Sequence, residues 1–73
     1  MFFAIEDDKD RHTIHLTRNF RPVETGYRVQ LHELPAYTFF VDATTADDAQ
    51  KLAFHVAQKS GRAKSDAATV QRF

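Results

Sequence analysis

A stripe of alanines decides what the second half of this chain can become. Ala46, Ala49, Ala53 and Ala57 recur three and four residues apart, the spacing that lines side chains along one face of an α-helix. Leu52 and Val56 stand on one edge of the stripe and Phe54 on the other. Small residues in the middle let a helix approach a sheet closely, while the larger ones wedge at its sides. Thr45 can accept an N–H bond from the first turn, and Asp47 and Asp48 favour the positive end of the helix dipole. Lys59 in the last turn and Gly61 just beyond it mark the stop. The sequence therefore predicts one helix between Thr45 and Gly61, with its alanines against a sheet.

That sheet must come largely from the residues before it. Met1-Phe2-Phe3-Ala4-Ile5 is an apolar run, Glu6 to Arg11 is a dense charge cluster, and His12 to Thr17 alternates with Ile14 and Leu16 on one face. Apolar run, polar turn and alternating run read as a β-hairpin. Without Asn-Gly or Asp-Gly in the turn, its type stays open. Tyr27, Val29 and Leu31 alternate with Arg28, Gln30 and His32 as a half-buried strand. Pro35 interrupts it, and Tyr37 to Asp42 resumes as a strand with apolar residues on both faces, which suggests a central or helix-covered place. The order β-β-β-β-α gives an α+β fold: a small antiparallel sheet of three to five strands with one helix on one face. Residues 1–61 form a single domain. Residues 62–73 form a basic tail, either flexible or returning over Thr69 to Phe73 as an edge strand.

With 73 residues, a domain buries only about 60% of its unfolded surface. Seven phenylalanines compensate for so small a core, because each can bury about 150 Å² or more. The absence of cysteine removes disulfides, thiolate metal sites and a thiol nucleophile. Ten basic and ten acidic residues balance to zero, which argues against a protein living mainly on nucleic-acid phosphates. No apolar run reaches the roughly 18 residues of a membrane span, and the acid-rich start does not resemble a secretory signal.

Catalytic chemistry finds no foothold. His12 and His15, three apart in a strand, point to opposite faces and cannot readily clamp one ion. Ser60 and Ser65 lie at the helix exit rather than in a strained strand-to-helix turn, and Gly26 and Gly61 stand alone rather than in a phosphate-binding loop. Asp7 and Asp8 belong to a turn, while Asp47 and Asp48 are explained by helix capping. The expectation is a non-enzyme with no cofactor and no metal.

The segment from Arg18 to Arg28 has interface composition. Arg18, Phe20, Arg21, Val23 and Arg28 combine aromatic and arginine side chains of the kind enriched at binding hot spots. They are the candidate partner-binding residues. Phe20 and Val23 read equally well as a plug folded back over the open edge of the sheet. Lys59, Arg62, Lys64 and Arg72 are candidates for secondary electrostatic contacts, too few for more than weak, salt-sensitive phosphate binding.

Taken whole, from Met1-Phe2-Phe3-Ala4-Ile5 through Thr44-Thr45-Ala46-Asp47-Asp48 to Val70-Gln71-Arg72-Phe73, the chain resembles a small RNA polymerase-binding transcription regulator of a lytic Xanthomonas phage. The resemblance implies a protein that works in the host bacterial cytoplasm, and the free chain is expected to be a monomer. It implies binding to the N-terminal region of the polymerase β′ subunit together with β, displacement of the σ factor, arrest of initiation, and antitermination. It carries no signature motif that assigns contact residues. Two other readings remain open on the residues alone: a small phage inhibitor of a host defence complex, and a small nucleic-acid-binding domain using the basic tail.

Overall fold

The structure, a computed structural model, describes all 73 residues. Its elements are β1 (Phe3–Glu6), β2 (Thr13–Thr17), β3 (Tyr27–Leu31), β4 (Thr38–Val41), α1 (Ala46–Lys59) and β5 (Ala68–Arg72). The strands form one five-stranded sheet in the order β1-β2-β4-β3-β5, and α1 packs on one face against β3, β5 and β4. The fold is α+β, one helix on a small sheet, as the residue pattern implies.

Helix α1 begins where its cap predicts. Thr45 is extended, and its hydroxyl oxygen accepts the Asp48 N–H at 3.1 Å. Ala49, Ala53 and Ala57 are at most 2% exposed, so the small-residue stripe does face the sheet. Leu52, Phe54 and Val56 pack around it, half-buried. Ala46 departs from the expectation: it shares the stripe's face but is exposed, because the first turn overhangs the end of the sheet. Opposite the alanines, Leu16, Val29, Leu31 and Val41 are at most 1% exposed. Ile14 and Phe39 complete that side of the core.

The sheet is not wholly antiparallel. β1 pairs antiparallel with β2, and β3 antiparallel with both β4 and β5, but β2 and β4 run parallel, with Ile14 beside Phe39 and Leu16 beside Val41. The cause lies in β4. Phe39 and Val41 face the helix while Phe40 faces the other way, so this strand gains most from a place covered on both sides. It inserts between β2 and β3, and the 18–37 segment that contains β3 becomes the crossover between two parallel neighbours.

Residues 62–73 join the same sheet. Ala63 is buried in the core, and β5 pairs with β3 from Leu31 opposite Ala68 to Tyr27 opposite Arg72. The ladder ends at Gly26 and Phe73, which exchange both backbone hydrogen bonds. Gly26 is required there. Its φ is +145°, and a Cβ at this position would stand 2.2 Å from the Val41 carbonyl oxygen.

The registers also define two ends and two faces. Ala4, Leu16, Val41, Tyr27 and Arg72 lie in one row across the upper end of the sheet, with Phe3 and Thr17 one position beyond it. The face away from α1 carries Phe3 and Ile5 of β1, His15 and Thr17 of β2, Phe40 of β4 and Arg28 of β3, since residues opposite one another across a ladder share a face.

The alanine seam gives a direct test. Ala53→Leu inserts three carbons where there is no space and should destabilise the fold by about 1–3 kcal/mol. Ala46→Leu, at the exposed first turn, should change stability by less than about 0.5 kcal/mol. Paired denaturant titrations of the two variants measure the difference.

Candidate protein-interaction surface

The loop after β2 is knitted from local hydrogen bonds. Thr17 donates its hydroxyl to Asn19 Oδ1 at 2.8 Å, and that same oxygen accepts the Arg21 N–H at 3.1 Å. The Asn19 N–H returns to Thr17 Oγ1 at 3.2 Å. An asparagine that holds its own neighbours in this way makes a turn without glycine. The turn leaves Phe20 with φ +59°, the one non-glycine residue of the chain at positive φ. A bulky side chain rarely accepts that conformation.

Phe20 and Val23 divide the two readings of this loop between them. Val23 is 8% exposed and lies over the sheet. Its N–H donates to Nδ1 of the buried His15 at 3.0 Å. The candidate contact at Val23 is therefore corrected: its side chain is plug, not surface. Phe20 is 63% exposed, yet its position is fixed, because its ring stacks on Phe3 with centroids 3.9 Å apart. On the other side of the β1 start, the Arg18 guanidinium sits over the Phe2 ring, 5.0 Å from its centroid. Phe2, Phe3, Arg18 and Phe20 thus form one aromatic and arginine corner at the upper end of β1, with the exposed Met1 beside it. The sequence reading missed Phe2 and Phe3, which looked only like strand filler. The available signal was two consecutive phenylalanines, which a strand must point to opposite faces.

Arg28 does not join that corner. It lies on β3, three strand positions from β1, or about 14 Å at the usual strand spacing. Its guanidinium donates to Gln71 Oε1 on β5. Arg21 is exposed beside Phe20 in the loop. The five candidate residues therefore separate into two at the corner (Arg18, Phe20), an exposed loop neighbour (Arg21), a buried one (Val23) and a distant one (Arg28).

Beneath the loop, His15 is the fixed point. Because Nδ1 accepts the Val23 N–H, the ring proton sits on Nε2, which faces Asp7 Oδ2 at 3.4 Å. The ring also stacks on Phe40 at 5.3 Å, and Phe40 meets Phe73 edge to face at 5.0 Å. The Asp7 carboxyl is held below its ordinary range, first by the Lys9 N–H and then by His15. His12, by contrast, is exposed and stands edge-on to Tyr37.

The four basic residues of the tail do not gather either. Lys59, Arg62 and Lys64 lie at the lower end, where α1 finishes, and Arg72 at the upper end, opposite Tyr27. Arg62 covers the Tyr37 ring at 5.3 Å. Glu33 Oε1 accepts the N–H groups of Lys64 and Ser65 at 2.6 and 2.8 Å. No protein-family model matches this chain, and neither a curated protein nor a solved structure matches it.

Glu33 provides a pH test of the segment it anchors. The Lys64 N–H, then that of Ser65, lowers its carboxyl from the ordinary 4.5. A folded-state value below the unfolded one means stability that is present above pH 4.5 and lost as pH falls through the lowered value. Glu33→Gln keeps an oxygen acceptor but no charge, so its stability should fall less steeply than that of the wild type below that pH. Thermal melts of both proteins across the acid range measure the two slopes.

Proposed function

We propose that this protein is a non-catalytic binding module that meets a protein partner through its aromatic and arginine corner. One observation carries the reading. Phe20 is held in a backbone conformation costing about 1–3 kcal/mol, with most of its ring in solvent. Core packing does not account for a strained, exposed phenylalanine, whereas a preorganised anchor does, because an aromatic ring already fixed in place loses little entropy on binding. Arg18 and Arg21 supply planar donors for carboxylates beside it.

The identity of the partner rests on the resemblance alone. On that basis the partner is the RNA polymerase of a bacterial host, bound at the β′ N-terminal region with β. The consequence is inhibition of initiation by displacement of the σ factor, with antitermination as a further effect. The nucleic-acid reading is weaker, because the separation of Arg72 from Lys59, Arg62 and Lys64 leaves no continuous basic track for a phosphate backbone.

Phe20→Ala and Arg21→Ala should each weaken binding to whole polymerase by about 1–3 kcal/mol. Phe20→Gly separates binding from folding. It relieves the positive φ while losing a stack worth about 0.5–1.5 kcal/mol, so its stability should stay within about 1 kcal/mol of the wild type while binding falls as in Phe20→Ala. Lys64→Ala and Arg72→Ala should alter mainly the association rate and its salt dependence. Binding titrations at two salt concentrations, with folding followed by circular dichroism, test the set. Wild-type binding by Phe20→Gly would remove the corner from the interface, and failure of the wild type to bind would remove polymerase as the partner.

A further inference from the structure

β1 is an edge strand, and its register shows which of its backbone groups are unused. The Asp7 N–H donates to the Thr13 carbonyl at 2.9 Å, and the same ladder pairs Ile5 with His15 and Phe3 with Thr17. In an antiparallel pair hydrogen-bonded and non-bonded positions alternate. Ala4 and Glu6, opposite Leu16 and Ile14, are the non-bonded positions, so their N–H and C=O groups point outward from the sheet. Edges are commonly blunted by charged side chains, above all lysine, by proline or by a bulge, and β1 carries one such charge, Glu6. The β1 sequence Phe-Ala-Ile-Glu contains neither lysine nor proline.

The same two residues wall a cavity. Ala4 and Glu6 line it from the strand side, Val56 from α1, and Ile14, Tyr37 and Arg62 close it. Its volume is about 160 Å³, below the 300–1,000 Å³ of typical small-molecule sites but suited to one side chain. In a strand added to β1, a residue opposite Ala4 or Glu6 turns its side chain to the face those residues occupy, and therefore toward this cavity. The rim is charged on both sides. Glu6 and Arg62 are exposed, and neither takes part in any of the chain's ion pairs, which join His12 to Asp10, His15 to Asp7 and Lys51 to Asp47.

We propose that the free edge of β1 and this cavity form a second interaction site, which takes an extended peptide segment of a partner protein by strand addition. One large apolar side chain of the peptide fills the cavity, and an acidic residue nearby meets Arg62. Main-chain bonds to Ala4 and Glu6 supply the affinity and the cavity the specificity. The site lies on the helix-facing side of β1, whereas Phe20 stacks on the other. The proposal does not depend on the corner or on the identity of its partner.

The test is selection of a phage-displayed library of random decapeptides on the immobilised protein, followed by synthesis of the winners. The expected consensus is an alternating segment with one large apolar residue and an acid two positions away. In amide spectra its addition should shift Ala4, Glu6, Tyr37 and Val56. Ala4→Pro removes an outward N–H that the sheet does not use, a substitution edge strands tolerate, and should weaken these peptides about tenfold or more. Peptides N-methylated at the pairing amides should lose binding to the wild-type protein by a similar factor, which holds even if Ala4→Pro does not fold. Selection without a consensus, full binding by the N-methylated peptides, or shifts centred on Phe20 and Phe73 would each overturn the proposal. A concentration-dependent dimer closed through β1 would also overturn it, by giving the edge to a second copy.

Discussion

The contact of α1 with the sheet is the constraint on which the rest of the molecule depends. Ala49, Ala53 and Ala57 leave almost no exposed surface, but alanines bury little area of their own, so they contribute mainly by what they permit. They let the helix come close enough for its flanking Leu52, Phe54 and Val56 to reach the sheet. They also seal Leu16, Val29, Leu31 and Val41 from water, at roughly 25 cal/mol for each Å² of apolar surface removed. Only 13 of 73 residues are buried, so this single layer is nearly all the core the chain has. A helix lifted by one bulky side chain would open all of it at once.

Such a core does not reach the other face of the sheet, and there the polar interior takes over. His15 is buried on that face and spends both ring nitrogens, one on the Val23 N–H of the loop and one on the Asp7 carboxylate of the first turn. Two segments far apart in sequence are thus tied to β2 by one imidazole in one tautomer. No buried side-chain polar atom lacks a partner, which matters because an unpaired one costs about 1–3 kcal/mol. The strain at Phe20 can be held because the residues on both sides of it are anchored, Asn19 to Thr17 and Val23 to His15.

Local physics was legible in the sequence, and the outcome of long-range competition was not. The Thr45 cap, the alternation of Tyr27, Val29 and Leu31, and the two-sided β4 depend on neighbours a few residues away, and each stands where the pattern placed it. The parallel pairing of β2 with β4 depends on which strand wins the centre of the sheet, and periodicity does not encode that. Likewise the 62–73 segment carries little apolar character of its own. It is ordered by Ala63 in the core, by the Glu33 carboxylate across the molecule and by the free edge of β3. Phe20 and Val23 have similar apolar character in one loop, and it is Val23, whose N–H bonds the buried His15, that turns inward. Of the five candidate contact residues, the corner retained Arg18 and Phe20, with Arg21 exposed next to Phe20 in the loop. It added Phe2 and Phe3, because a strand splits consecutive side chains between two faces and the loop closes over both.

That splitting also explains how so small a domain can offer more than one surface. β1 is the least covered strand: it pairs with one neighbour only, and α1 packs mainly over the other half of the sheet, against β3, β5 and β4. Its side chains consequently do different work at successive positions. Phe2 meets Arg18, Phe3 meets Phe20 on the opposite face, and Ala4 and Glu6 wall a cavity beside the helix. A larger protein would cover this strand with a second helix and gain stability. Here the strand is left at the edge, and its uncovered surface is where the aromatic anchor, the unpaired backbone and the apolar cavity all occur. In a chain with so few buried residues, the element that adds least to the core is free to be the one that binds.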